Sequence, residues 1–359
     1  MKIILSKSEL EKCQYLLFVK EQNISAAEIY IEYLNDHYND ISFAKDSKDF
    51  YHQFLKSLNI DEEDSEIKEI NKICNLEKID KLNPQAYKND SYFNIVKNID
   101  IKQDNIRFMN LKYLPYEGFT YNELEISQDS YSEHTPIGYF KEEFVYPAII
   151  QDDLIWMSLI PHEIETMIEP IKKARGSVLV LGLGLGYYLY HVSNKEEVKH
   201  VDVIELDPKI MNLFNKHLLN KFPNKNKINI IHADAVSYLK ECENKYDYVF
   251  ADIWHNVGDG EELYLKIKAN EDRLNNAKFD YWIETSILAM LRRQTLTVFS
   301  EALEGFKEQD YLKAKNINDE IINKIYFYHK NTIVDSYDVL HDLLSDSFLK
   351  KMAKELFKS

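Results

Sequence analysis

The chain has 359 residues, of which 45% are hydrophobic, and it carries a formal net charge of −16. The hydrophobic share is large enough to form a folded core, which excludes gross disorder. The acidic balance disfavours an extended phosphate-binding surface, so we expect no nucleic-acid partner.

The cysteines and the apolar runs narrow the class of protein further. Cys13, Cys74 and Cys242 lie far apart and fit no zinc spacing, which predicts reduced thiols and no metal site. No run approaches the roughly 20 apolar residues of a membrane span, and the first residues turn polar too early for a signal peptide. We therefore expect a cytoplasmic protein without a membrane partner.

The first 160 residues are predicted to form two regions. Residues 1–104 indicate an N-terminal helical region, because capping boxes at Ser6–Glu9 and Ser25–Glu28 each precede an apolar helical pattern. Residues 105–160 indicate a small β-section that ends in a hairpin around Asp152 and Asp153. Pro161 then fits the first position of a helix, with His162 and Glu163 next to it. That pair lacks the second histidine of a zinc motif, and a contact with substrate remains open.

Residues 161–300 are predicted to form a Rossmann-like α/β domain. An apolar strand leads into a turn that contains Gly182, Gly184 and Gly186, and a helix and a second strand ending at Glu205 follow. Glycines let the backbone approach a ligand closely, and an acid at Glu205 can accept both hydroxyls of a ribose. A dinucleotide motif would require a third glycine where Tyr187 stands, which weakens a pyrophosphate site.

The glycine pattern and the strand ends resemble class I S-adenosylmethionine-dependent methyltransferases. Third and fourth strands are predicted at Ile228–His232 and Tyr246–Ala251, and Asp234 and Asp252 follow them. The resemblance implies S-adenosyl-L-methionine as the cofactor, with the third-strand acid at the adenine and the fourth-strand acid facing substrate. The cofactor-binding residues that it implies are Gly182, Leu183, Gly184, Gly186, Glu205, Leu206, Asp234, Ala235 and Asp252.

The layout of hairpin, helix and glycine turn also resembles the spermidine synthase branch of that superfamily. Two anionic positions of the branch differ here, because its turn aspartate falls on Leu185 and its second, catalytic aspartate falls on His255. Loss of both charges disfavours a cationic polyamine and hence an aminopropyltransferase. Beyond the branch, the chain is similar to an uncharacterised bacterial group of methyltransferase-like proteins.

Asp252 and His255 are the candidate catalytic residues. Asp252 can orient the acceptor, and His255 is either a general base or a structural residue. Trp254 and Tyr187 are expected to wall the pocket. Residues 301–359 indicate a C-terminal helical tail, which packs on the N-terminal helices or on a second subunit in a homodimer.

Taken together, these features favour a methyltransferase that acts on a small-molecule acceptor. Two alternatives stay open: spermidine synthase-like aminopropyl transfer, and a non-catalytic sensor that binds S-adenosylmethionine.

Overall fold

The computed structural model describes residues 1–23, 26–41, 47–243, 245–312 and 316–358. Ser25, the first residue of the second capping box, lies outside them. Helices dominate the first part of the chain, with two short strands among them. Its elements are β1 (Lys2–Ile3), α1 (Lys7–Asn23), α2 (Ala26–Ile41), α3 (Ser47–Ser57), α4 (Ser65–Cys74), β2 (Ile79–Lys81), α5 (Pro84–Lys88) and α6 (Ser91–Val96).

A β-rich section follows and forms small sheets. Its strands are β3 (Ile101–Gln103), β4 (Ile106–Tyr113), β5 (Gly118–Thr120), β6 (Glu125–Ile126), β7 (Glu133–His134), β8 (Ile137–Tyr139), β9 (Phe144–Gln151) and β10 (Leu154–Ser158). One antiparallel sheet has the order β10-β9-β4-β3, and β8 pairs in another sheet with β2 and β5. Asp152 and Asp153, between β9 and β10, have φ of 52° and 64°. Such angles suit a two-residue hairpin turn, and β9 and β10 form the hairpin predicted around these two residues.

Alternating helices and strands make up the central part. They are α7 (Pro161–Lys173), β11 (Gly176–Leu181), α8 (Tyr187–Ser193), β12 (Val198–Glu205), α9 (Pro208–His217), β13 (Ile228–His232), α10 (Ala235–Glu241), β14 (Tyr248–Ala251), α11 (Val257–Lys268) and β15 (Lys278–Tyr281).

The five central strands form one parallel sheet in the order β13-β12-β11-β14-β15. This is the strand order of a Rossmann-like fold, so the predicted fold class is confirmed. β11 lies at the centre because Val178–Leu181 is apolar throughout and fully buried.

The chain ends in helices that pack on both earlier parts. These elements are α12 (Glu284–Leu303), α13 (Glu308–Tyr311), α14 (Ile317–Tyr328), β16 (Ile333–Val334), α15 (Tyr337–Leu343) and α16 (Asp346–Leu356). β16 pairs in parallel with β1, and buried side chains of α1, α12 and α15 share one apolar cluster. The expected boundary at residue 300 falls inside α12, which continues to Leu303.

β15 is a fifth parallel strand that the sequence analysis did not predict. Lys278 to Tyr281 pairs in register with Tyr248 to Ala251 of β14. The carboxylate of Asp280 on this strand accepts hydrogen bonds from Tyr248 (2.6 Å) and Lys173 (2.9 Å). These hydrogen bonds, to residues distant in sequence, help to hold a half-polar segment at the edge of the sheet.

Candidate active site

A cavity of about 1130 Å³ opens at the carboxyl edge of the parallel sheet. Open α/β sheets bind their ligands at this edge. β11 and β12 lead to it at Gly182 and Glu205, and β13 and β14 lead to it at Asp234 and Asp252. The structure therefore brings together the four strand ends that the sequence singled out.

The glycine turn between β11 and α8 needs its glycines for two different reasons. Gly182 has φ of +98°, and a Cβ there would collide with the carbonyl oxygen of Asp252. Gly184 has φ of +54°, but a Cβ there would meet only the Met157 sulfur, at 3.9 Å. The first glycine thus permits the close approach of two strand ends. The second leaves bare backbone at the cavity, where a ligand can approach it.

Glu205 is held by the turn itself. Its Oε2 accepts a hydrogen bond from the N–H of Leu183 (3.1 Å), and its Oε1 accepts one from the N–H of Asp207 (2.8 Å). Burial raises the pKa of Glu205, and these backbone bonds only partly offset that effect. Leu206, the next residue, is 65% exposed and also lines the cavity.

Asp234 lines the cavity and also begins a helix. Its Oδ1 accepts a hydrogen bond from the N–H of Ser237 (2.8 Å), which caps α10. Ala235 follows as a buried residue of the cavity wall. Asp207 caps α9 in the same way, through the N–H of Lys209 (2.7 Å). Asp207 is therefore a helix cap as well as a residue of the cavity wall.

Glu163 faces the same cavity as Asp252, although it lies 89 positions earlier in the sequence. Pro161 begins α7, which places Glu163 in its first turn. Trp282, just after β15, holds this helix by donating a hydrogen bond from its indole N–H to the Thr166 hydroxyl (2.9 Å).

The two carboxyls disturb each other's ionisation. Burial raises the pKa of Glu163, and the charge of Asp252 raises it further. Burial also raises the pKa of Asp252. Within the described part of the chain, neither carboxyl forms an ion pair with a protein cation. A cationic ligand would relieve this arrangement.

The charge of the cavity wall is one-sided. No lysine or arginine lines it within the described ranges. His162 also lines it, and burial lowers the pKa of this histidine to about 4, which keeps it neutral near pH 7. Six carboxylic acids line the cavity: Glu163, Glu205, Asp207, Asp234, Asp252 and Asp259.

The rest of the wall mixes polar side chains with many apolar and aromatic ones, and much of it comes from other elements. We call the ends of β11–β14 with Glu163 the strand-edge half. We call the opposite wall the aromatic half, and it consists of Ile31, Tyr113, Phe119, Trp156 and Trp282. Tyr187 and Trp254 also line the cavity, as expected.

His255 lies on the loop after β14, beside Asp259 in the first turn of α11. Its Nδ1 is 2.7 Å from Oδ2 of Asp259. The Asp259 carboxylate also accepts hydrogen bonds from the backbone N–H groups of His255 (3.1 Å) and Asn256 (2.9 Å). The Trp156 ring packs edge-on against the imidazole, with the ring centroids 4.1 Å apart.

Sequence reasoning missed two partners at this site. It treated Glu163 only as one half of a His-Glu pair, and it assigned no role to Asp259. The spacing of four between His255 and Asp259 was visible, and one helical turn would place such residues side by side. The pairing of Glu163 with Asp252 has no local signal, because the fold alone brings α7 to the end of β14.

Two features are absent from the described residues. None of the helices in that part of the chain is long and apolar enough to cross a membrane. No three His, Cys, Asp or Glu side chains there form a group that could hold a metal ion.

The matched family domain and the similar curated proteins agree with each other. Residues 162–274 match the spermine/spermidine synthase domain. The polyamine aminopropyltransferase of Methanocaldococcus jannaschii is 32% identical over 118 residues, which cover 32% of this chain and 39% of that protein. The polyamine aminopropyltransferase of Clostridium acetobutylicum is 27% identical over 157 residues, which cover 39% and 54% of the two chains. The matches thus span only part of the relatives' length.

A solved structure is also similar. The spermidine synthase from Thermotoga maritima shares 17% identity over 42% of this chain and 55% of its own, with a TM-score of 0.29.

These matches correct the functional expectation from the sequence. Methyl transfer is contradicted, and so are classification as a methyltransferase and intact S-adenosyl-L-methionine as the cofactor. The matched domain is that of the spermidine synthase branch, so the resemblance to that branch is confirmed, whereas the narrower assignment to an uncharacterised group is not supported. The physical reason lies in Glu163: Leu185 and His255 replace two anionic positions, but a carboxyl from α7 enters the same cavity.

Proposed function

We propose that this chain transfers an aminopropyl group from decarboxylated S-adenosylmethionine to an amine acceptor. The observation that carries the proposal is the Glu163–Asp252 pair, in a cavity whose described lining holds no lysine or arginine. The matched spermine/spermidine synthase domain supports the same reaction class.

The charges of the donor fit this cavity. Decarboxylated S-adenosylmethionine carries a sulfonium and a primary ammonium, and it lacks the carboxylate of the intact molecule. Glu163 and Asp252 would attract both positive groups, and they would repel a carboxylate. A cavity with this balance therefore selects the decarboxylated molecule by electrostatics.

The strand-edge half would hold the nucleoside. Glu205 would accept the ribose hydroxyls, with the backbone at Gly184 close to the ligand. Asp234 and Ala235 would contact the adenine. Asp252 and Glu163 would fix the ammonium, so that the aminopropyl carbon next to sulfur faces the aromatic half.

The reaction is a displacement at that carbon. The neutral acceptor nitrogen forms a new C–N bond, the C–S bond breaks, and its electron pair returns to sulfur. The products are an aminopropylated amine and the neutral thioether methylthioadenosine. Positioning supplies most of the rate, because the sulfonium is already an activated leaving group.

Incubation with one donor and a panel of amines tests the proposal. Purified protein is mixed with decarboxylated or intact S-adenosylmethionine and with linear diamines or monoamines of matched length, and products are measured by mass spectrometry. We expect methylthioadenosine and an acceptor heavier by one aminopropyl group, with the decarboxylated donor only.

Two outcomes would overturn the proposal. One is methyl transfer from the intact molecule, with formation of S-adenosylhomocysteine. The other is the absence of methylthioadenosine with every amine, while calorimetry detects no binding of the decarboxylated donor.

A further inference from the structure

We propose that His255, oriented by Asp259, is the general base that removes a proton from the acceptor amine. This inference rests on the proposed aminopropyl transfer and adds to it the residue that makes the acceptor reactive. It also explains how the reaction proceeds where Asp252 is already assigned to the donor ammonium.

The geometry fixes the imidazole in one orientation. Oδ2 of Asp259 lies 2.7 Å from Nδ1, and the edge of the Trp156 ring packs on the imidazole. Asp259 is the third residue of α11, and it forms the capping box of that helix with Asn256. His255 and Asp259 both line the cavity. The imidazole therefore cannot turn without breaking contacts on two sides.

The same contacts select the tautomer. Burial raises the pKa of Asp259, but hydrogen bonds from His255 and from two backbone N–H groups outweigh it, and the pKa lies below its ordinary value. An ionised Asp259 requires a proton on Nδ1, which leaves the lone pair on Nε2. Nε2 is then available to accept a proton, as in other histidines oriented by a carboxylate.

Other titratable groups surround this pair. β10 contributes only uncharged side chains to the cavity lining, and Trp156 is the one that packs against His255. The titratable groups that line the cavity besides this pair include Asp252 on the same loop, His162 and Glu163 on α7, and Glu205, Asp207 and Asp234 across the cavity.

The proton balance of the step is simple. An alkylammonium acceptor loses one proton to Nε2 of His255 and becomes a neutral amine. Its lone pair forms the C–N bond as the C–S pair moves to sulfur, which leaves a secondary ammonium product. His255 then releases the proton to solvent, so one proton appears per turnover.

A purely structural role for the pair is the competing interpretation, since Asp259 would cap α11 without any catalysis. An acceptor that needs no base separates the two roles. An alkoxyamine is unprotonated at neutral pH, whereas an alkylamine is an ammonium ion. Loss of a base should slow the reaction of the alkylamine and leave the reaction of the alkoxyamine nearly unchanged.

The experiment compares His255→Gln, Asp259→Asn and His200→Gln with the wild type. His200 is the matched control, because its Nε2 lies 3.0 Å from Oδ1 of Asp202 near the amino end of β12, away from the cavity. Methylthioadenosine release is followed with an alkylamine and with an alkoxyamine over a range of pH, and donor affinity is measured by calorimetry.

We expect His255→Gln to lower kcat/KM for the alkylamine by about a hundredfold near neutral pH and to move the rising limb of its pH profile to higher pH, where the acceptor loses its proton to water. The alkoxyamine should retain activity within about threefold, and donor affinity should not change. Asp259→Asn should act in the same direction, because an amide at this position favours the other tautomer. His200→Gln should match the wild type.

Equal losses with both acceptors, or a variant whose rising limb stays at the pH of the wild type, would overturn the role of His255 and leave aminopropyl transfer intact. A wild-type protein that releases no methylthioadenosine with either acceptor would overturn both proposals.

Discussion

The two halves of the cavity differ in how they are built. The strand-edge half lies within residues 162–274, the stretch that matches the spermine/spermidine synthase domain. Every residue of the aromatic half, from Ile31 to Trp282, lies outside that stretch. On the proposed reaction, the donor would bind in the strand-edge half, and the acceptor would face the aromatic half, which lies outside the matched domain.

The largest expected effect is at the backbone of the strand-edge half. Gly182→Ala places a Cβ against the Asp252 carbonyl at a φ of +98°, so the two strand ends must separate. We expect donor affinity, measured by calorimetry, to fall by about a hundredfold or more.

Gly305→Ala is the control for this change. Gly305 also has a positive φ (+87°), but a Cβ there would meet no heavy atom within 4 Å. It should cost only about 1–2 kcal/mol of unfolding free energy and leave donor affinity unchanged. Equal effects of the two variants on donor affinity would show that strain, and not the close approach at Gly182, is responsible.

The next largest expected effect is weaker donor binding when a carboxyl of the cavity loses its charge. Glu163→Gln and Asp252→Asn should each weaken binding of the decarboxylated donor about tenfold, because each removes one charged contact with the ammonium. Glu165→Gln is the matched control on α7, since its carboxylate accepts a hydrogen bond from Tyr87 (3.0 Å) and does not line the cavity. Unchanged donor affinity in both cavity variants would remove the carboxyl pair from the donor site.

A pH dependence of stability should accompany that charge. Burial raises the pKa of Asp252 to about 7, above its value in the unfolded chain. The folded protein therefore binds this proton more tightly, and the stability it contributes is present at low pH and lost as pH rises through about 7. We expect Asp252→Asn to become more stable relative to the wild type between about pH 5 and 8, as measured by urea unfolding without ligand. A constant difference would contradict the raised pKa.

The smallest effect is expected in the aromatic half. Trp156→Leu should raise KM for the acceptor by roughly threefold to tenfold, because it removes an aromatic wall, and it should leave donor affinity unchanged. Leu154→Ala on the same strand is the control, since Leu154 is 72% exposed and does not line the cavity. A change in donor affinity instead would erase the distinction between the halves.

Much of the strand-edge half could be predicted from the sequence because its signals are local. The positive φ at position 182 favours glycine, and a strand of valines and leucines is typical of a buried parallel sheet. Glu205 and Asp252 follow such strands directly, so parallel pairing alone brings them to one edge.

The other features could not be predicted from the sequence, because they depend on contacts between residues that are distant along the chain. Asp280 belongs to an edge strand because Tyr248 and Lys173 hold its carboxylate, and neither is near it in sequence. Leu185 was interpreted as the loss of a negative charge because each position of the family motif was compared with this sequence separately. In the folded structure, Glu163 supplies a carboxyl to the same cavity from α7. The hydrophobic periodicity of α7 does not indicate that contact.

The surplus of acids in the cavity has a consequence for the end of a catalytic cycle. On the proposed reaction, the sulfur arrives as a cation and leaves as an uncharged thioether, while the surrounding carboxylates stay as they were. The reaction would thus remove part of the electrostatic attraction that binds the donor. The neutral nucleoside product would therefore bind more weakly than the cationic donor and dissociate more readily.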